Sequence, residues 1–288
     1  MVEHGAPGSV AEAAWIDGRA GTAVSVRERG LHYGDGLFET IACLDGAPRL
    51  LELHMRRLRG GCERLGIEPP EPEQLAHEVH ALCAGASRAI LKILVTRGTA
   101  IARGYRPSGG EKATRIVLRY AWPAPDPSLA QEGVRVRTAQ LRLGENPALA
   151  GLKHCNRLEQ VLASRESDDP GLAESLMFSS SGALISGTMS NVFLVDDSIL
   201  LTPALERCGV CGVMRELVLR AAAGAGIATQ VRRLEAQELA RAQEMFLTSA
   251  LIGIRPVREF DGVTRRVGPL TRRLQEELAP LLAGGRGP

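Results

Sequence analysis

Residues 142–162 read Arg142-Leu-Gly-Glu-Asn-Pro-Ala-Leu-Ala-Gly-Leu-Lys-His-Cys-Asn-Arg-Leu-Glu-Gln-Val-Leu162. An irregular Gly/Asn/Pro stretch gives way to the apolar segment 148–152, then to Lys153 and His154, and from about Asn156 to a helix. The apolar positions of that helix, Leu158, Val161 and Leu162, lie on one face, and Asn156 is available as its cap. A lysine at the end of an apolar run is desolvated, which disfavours the ammonium and frees the amine as a nucleophile or base. Lysine is also scarce: of the 35 Lys plus Arg residues only Lys92, Lys112 and Lys153 are lysines. A guanidinium is effectively never neutral in a protein, so chemistry that needs a deprotonatable amine must use one of these positions. Context alone leaves a solvated or ion-paired Lys153 as the alternative.

Working outward, Val134-Arg-Val-Arg-Thr138 alternates with period two, as a half-buried strand does. Before it, Ala121-Trp-Pro-Ala-Pro-Asp-Pro127 carries three prolines in seven residues, which excludes a helix interior or a central strand. The chain therefore reads as a smaller α+β domain over 1–121, a linker over 122–131 and a larger domain over 132–288. In the first, strand-forming runs at 24–44 and 88–121 flank a helix whose apolar residues Leu51, Met55, Leu58, Cys62 and Leu65 are spaced 4, 3, 4, 3. Gly60 and Gly61 are a possible break in it. In the second, two hairpins are expected, Leu176–Phe178 with Ala183–Ile185 and Val192–Val195 with Ile199–Leu201. A helix to about Ala223, a strand at Glu244–Thr248 and a helix near 269–283 complete it.

Other polar features read either way. The loop Arg207-Cys-Gly-Val-Cys-Gly-Val-Met-Arg215 opens a helix, and a glycine-rich helix N-terminus suits an anion such as phosphate, or is a plain loop. Thr188-Met-Ser-Asn191 and Thr248-Ser249 either close turns or donate to a bound phosphate or ring. Cys208-x-x-Cys211 lacks the second ligand pair that structural zinc needs, and His77-x-x-His80 reads as a polar helix face, so no metal is expected.

Composition narrows the classes. The 288 residues are 44% hydrophobic and 24% charged, which excludes a disordered chain, and charges interrupt every apolar stretch before a membrane span is reached. A net charge of +2 and 3% aromatic content argue against nucleic acid. Residues 1–18 lack the basic start and apolar core of an export signal, so a cytoplasmic protein with reduced thiols is expected.

Two stretches carry a family resemblance. Arg29-Gly-Leu-His-Tyr-Gly-Asp-Gly-Leu-Phe-Glu-Thr40 and residues 142–162 resemble the fold-type IV, class IV aminotransferase-like, pyridoxal-phosphate enzymes. The resemblance implies a mixed α+β and α/β, two-domain fold of the D-amino acid aminotransferase type, with pyridoxal 5'-phosphate between the domains. It implies a homodimer acting on a small molecule. Lys153 matches the lysine that holds the cofactor covalently, and Arg57 matches the arginine on its phosphate. Val213 and Met214 match the amides of the phosphate cup, Ser249 its hydroxyl donor, and Asn191 a further cofactor contact. Tyr33, within 29–40, would line the substrate side, and Arg97, Arg103 and Tyr105 are candidates for substrate carboxylates. Aminotransferases of the family usually place a tyrosine five residues after the lysine; Leu158 stands there, which implies a carbon–oxygen lyase. A branched-chain or D-amino acid aminotransferase is the alternative, and a non-catalytic phosphate-binding protein a more distant one. Ser186 departs from the pattern, because the family commonly has a glutamate there on the pyridine nitrogen.

Overall fold

The structure, a computed structural model, describes residues 11–283. Residues 1–10, which hold most of the segment read for an export signal, lie outside the described residues. The chain forms two compact units: one runs to Ala124 and takes in Leu152–Asn156, and the other comprises Pro125–Gly151 and continues from Arg157. Leu152–Asn156, expected within the larger domain, belongs to the first unit, where it pairs with a strand of that unit.

The first unit contains β1 (Ala13–Ile16), β2 (Arg19–Ala20), α1 (Arg29–Tyr33), β3 (Gly36–Leu44), β4 (Ala47–Pro48), α2 (Leu51–Leu65), α3 (Pro72–Cys83), β5 (Arg88–Thr96) and β6 (Thr114–Ala121). Its sheet is antiparallel throughout, in the order β2-β1-β6-β5-β3-β4. Leu37, Glu39, Ile41 and Cys43 alternate along β3 and are all buried. The glycine pair does not break α2. A side chain at Gly61 would meet Leu37 Cδ1 at 2.8 Å, so glycine there admits β3 to the helix surface. The strand-rich stretch 24–44 also contains a helix the sequence did not show, α1. The Glu28 side chain caps it by accepting from Gly30 N, and Gly34 ends it at φ 63°.

The second unit contains α4 (Pro127–Gln131), β7 (Val134–Leu143), α5 (Leu158–Ser164), β8 (Leu172–Ser179), β9 (Leu184–Gly187), β10 (Asn191–Asp196), β11 (Ile199–Pro203), α6 (Val213–Gly224), β12 (Thr229–Arg232), α7 (Ala236–Arg241), β13 (Glu244–Ser249), β14 (Gly253–Phe260), β15 (Val263–Thr264) and α8 (Pro269–Ala283). Its mixed sheet has the order β12-β11-β10-β13-β14-β7-β8-β9, with β15 on β14; β7 runs parallel to both neighbours, and β11 parallel to β12. Phe193 of β10 stacks on Phe246 of β13 with ring centroids 5.0 Å apart. The proline-rich stretch ends in α4, where Asp126 caps the helix and Pro127 occupies its first turn, a place that has no N–H to lose. On α5 the apolar residues are solvent-facing: Leu158 is 76% exposed, Val161 50% and Leu162 51%. Asn156 does not cap this helix; its side chain donates to Gly34 O instead.

Glu244, buried at the start of β13, caps α8 from a distance. Its carboxylate accepts from Leu270 N at 3.1 Å, Thr271 N at 2.8 Å and Thr271 Oγ1 at 2.6 Å. Replacing it with alanine leaves buried donors unmatched, so urea unfolding of Glu244→Ala should show a loss of about 1–3 kcal/mol; a loss below the error of the fit would refute this capping role. Among the described residues no helix is long and apolar enough to cross a membrane.

Candidate active site

Segment 152–156 runs antiparallel to β3. Phe38 N donates to Lys153 O and Cys155 N to Gly36 O, both at 2.9 Å, and Leu37 bridges His154. This register sets Lys153 opposite Phe38, and on the other side of β3 it pairs Thr40 with Lys92 of β5. By the alternation of strands, Lys153, Phe38, Thr40 and Lys92 share one face, while Leu37, Glu39 and Ile41 point the other way. The half-buried Lys153 Nζ lies 4.4 Å from the Phe38 ring centroid, and Lys92 Nζ 5.5 Å from the same centroid. Two of the chain's three lysines thus flank one aromatic ring.

On the opposite face, Glu39 is 1% exposed. Arg57 of α2 grips it through Nε to Oε1 at 2.8 Å and Nη2 to Oε2, and His54 Nδ1 donates to Oε2 at 2.6 Å. Burial pushes the Glu39 carboxyl up, but the Arg57 charge and the hydrogen bonds from His54 and Arg57 outweigh it and hold the group down at about 2. The guanidinium of Arg57 is therefore fixed in plane by Glu39.

The candidates for substrate carboxylates separate. Arg97 donates Nε and Nη2 to Asp35, Nη2 also to Leu65 O and Nη1 to Gly66 O, which fastens the C-terminus of α2. Four hydrogen bonds within its own unit leave it little capacity for a substrate, so its expected part in carboxylate binding is corrected to a structural one. Asp35 is shared with the buried Arg29, whose Nη1 and Nη2 hold Gly104 O and Tyr105 O. The loop carrying Arg103 and Tyr105 is anchored by this clasp; both residues are exposed, and the Tyr105 ring lies 5.3 Å from that of the half-buried Tyr33.

In the second unit, the loop 207–212 delivers Gly212 as the N-cap of α6, with no side-chain cap on the N–H groups of Val213 and Met214. Asn191 shapes this turn: its Nδ2 donates to Val210 O at 2.9 Å, and a Cβ at Gly212 would sit 2.0 Å from its Oδ1. Asn191 thus positions the loop. Cross-strand register sets Thr248 of β13 opposite Asn191, so Ser249, half-buried, follows directly at the strand end. On β9 the Ser186 hydroxyl donates to Gly187 O at 2.8 Å. Behind Gly187 lies Glu174, a buried carboxyl that sequence reading missed; it accepts from Met189 N at 2.9 Å and Ser190 Oγ at 3.0 Å, and burial pushes its acidity down, raising its pKa above the usual range. Cys208 is buried and Cys211 exposed, and no group of His, Cys, Asp and Glu among the described residues could hold a metal ion.

The architecture is that of the fold-type IV enzymes. The chain belongs to the class IV amino-transferase family, whose model matches residues 36–260. Within that family it is similar to the 4-amino-4-deoxychorismate lyase of Pseudomonas aeruginosa, with a TM-score of 0.86 and 46% identity over 92% of this chain and 97% of that one. It is 33% identical to the aminodeoxychorismate lyase of Vibrio harveyi over 92% of this chain and 98% of the relative. It is also 32% identical to a putative branched-chain-amino-acid aminotransferase of Methanocaldococcus jannaschii, covering 88% and 89%.

Proposed function

We propose that the protein is a pyridoxal 5'-phosphate-dependent lyase that converts 4-amino-4-deoxychorismate to 4-aminobenzoate and pyruvate, a step towards folate. The observation that carries this reading is the 46% identity with the Pseudomonas lyase along nearly the whole chain. The aminotransferase reading is the second, favoured by the 32% identity with the Methanocaldococcus relative. A homodimer in the cytoplasm belongs to the same reading.

Pyridoxal 5'-phosphate is the family's cofactor, and the residues fit it. Lys153 offers the one half-buried amine presented on the strand-paired segment 152–156. The α6 N-terminus presents backbone donors behind a glycine whose Cβ would collide with Asn191, so the approach to them stays open. Val213, Met214 and Ser249 would hold the phosphate, with Arg57 as the charged group that the resemblance adds. When bound, the cofactor supplies an electron sink. With its amine neutral, Lys153 would serve as the base that takes the proton from the carbon bearing the substrate's amine. The bond from the neighbouring ring carbon to the enolpyruvyl ether oxygen would then break, the ring becoming aromatic, and the departing enolate, taking up one proton at its methylene carbon in balance with the one removed, would become pyruvate.

Ser186 tunes this chemistry. Its proton is directed to Gly187 O, so what it offers a ring nitrogen is a neutral oxygen, where a carboxylate would keep that nitrogen protonated and strengthen the sink. Aromatisation drives the elimination, and the weaker sink suppresses transamination. Ser186→Glu should raise aminotransferase activity with amino acids and 2-oxoglutarate by about tenfold; an unchanged background would count against the role. The function itself is tested by following 4-aminobenzoate release from 4-amino-4-deoxychorismate. Transamination without that release would favour the second reading.

A further inference from the structure

We infer that Arg29 is a positioning residue for substrate binding, holding the backbone of the loop that presents Arg103 and Tyr105 to a substrate carboxylate. The inference rests on the lyase reading, with those two residues on the substrate side, and deepens it. Residues 97–113 join β5 to β6, and a connection of that length needs an anchor to keep one conformation. Arg29 supplies it from the first position of α1, where it is 3% exposed. Its backbone N–H donates to Gly98 O at 2.9 Å, near the start of the loop. Its side chain reaches further along, with Nη1 donating to Gly104 O at 3.1 Å and Nη2 to Tyr105 O at 2.6 Å. Among the described residues, no other hydrogen bond ties residues 101–107 to the rest of the unit. The same guanidinium lies 4.9 Å from the centroid of the Tyr33 ring, and that ring lies 5.3 Å from the ring of Tyr105. One buried side chain thus anchors Gly104 and Tyr105 and lies against Tyr33.

The geometry accounts for an arginine at this position. A buried guanidinium has to be paired, and Nε donates to Asp35 Oδ2 at 2.8 Å. Asp35 is held in turn by Arg97, whose Nε and Nη2 donate to it at 2.8 and 3.1 Å and whose backbone N–H donates to Asp35 O. With its plane fixed in this way, the fork addresses two successive carbonyls at once, which the point charge of a lysine on its flexible stem does not reproduce. All three guanidinium nitrogens are engaged within the unit, so Arg29 acts through the loop and not on the substrate. A loop already held in its binding conformation loses little further freedom when the substrate arrives, so the effect falls on affinity.

Arg29→Met and Arg29→Lys both remove the fork, and Arg97 remains to pair Asp35 in each; Arg29→Lys also keeps the buried charge. Each should raise KM for 4-amino-4-deoxychorismate by about 10–100-fold, with kcat within about threefold of wild type and cofactor absorbance unchanged. Arg103→Met should raise KM by a similar factor, and adding Arg29→Met to it should raise KM by no more than about a further threefold, because both act through one contact. Trypsin should cut the Arg103–Gly104 bond about tenfold faster in the Arg29 variants while the rest of the chain stays protected. A wild-type KM in Arg29→Lys would overturn the inference, since charge alone would then suffice. Additive effects of Arg29→Met and Arg103→Met would do the same, as would an effect confined to kcat or faster cleavage at Arg103 with KM unchanged. If instead the wild-type enzyme released no 4-aminobenzoate, the lyase reading itself would fall, and cleavage at Arg103 would still report whether Arg29 holds the loop.

Discussion

Lys153→Ala is expected to abolish turnover and covalent cofactor attachment together. Losing a nucleophile that is also the general base removes two contributions, of which the base alone is worth about 10²–10⁴ in rate, so kcat should fall to background. Borohydride reduction of the wild-type holoenzyme followed by peptide mass analysis should place the cofactor on Lys153. Label on Lys92 or Lys112, or retained turnover in Lys153→Ala, would defeat the assignment. The fold should survive, because the Lys153 carbonyl that pairs with Phe38 N remains after the substitution.

The second large effect is on stability. Glu39 is 1% exposed and faces Arg57 and His54 together. Removing one partner of a buried charged cluster leaves the others desolvated, at a cost of roughly 3–5 kcal/mol, which Glu39→Ala should show in urea unfolding. The pH dependence has a definite sign. The folded carboxyl sits at about 2, below its ordinary 4.5. Its stabilisation is therefore complete above about 4.5 and is lost as pH falls through about 2. The shift corresponds to about 3 kcal/mol. Glu39→Gln does not titrate, so the gap in stability between wild type and Glu39→Gln should narrow as pH falls from 5 towards 2.5. A gap that stays constant across that range would show that the carboxylate charge is not what holds the cluster.

Local pattern was enough for much of this molecule. The 4, 3, 4, 3 spacing of Leu51 to Leu65 matches α2 residue for residue, because amphipathic periodicity is a property of a single segment. The two hairpins, α6 and α8 were legible for the same reason. The rarity of lysine drew attention to Lys153 before any fold was known, since only an amine can do that chemistry.

What a segment cannot encode is its partner. Helix α5 has an apolar face, yet Leu158, Val161 and Leu162 lie in solvent, because amphipathicity says which side is apolar and not whether anything covers it. Arg97 looked like a carboxylate receptor until Asp35, 62 residues earlier in the chain, was found holding it. Asn156 looked like a cap and instead reaches back to Gly34, 122 residues away. Periodicity along the chain thus marked the helical and strand segments and composition the scarcity of lysine, while the enzyme class was implied by the resemblance of residues 29–40 and 142–162 to a known family. Strand register between distant segments decided that Lys92 joins Lys153 over Phe38 and that Glu39 turns away from them to meet Arg57 and His54, because a one-residue shift in pairing would have exchanged those faces.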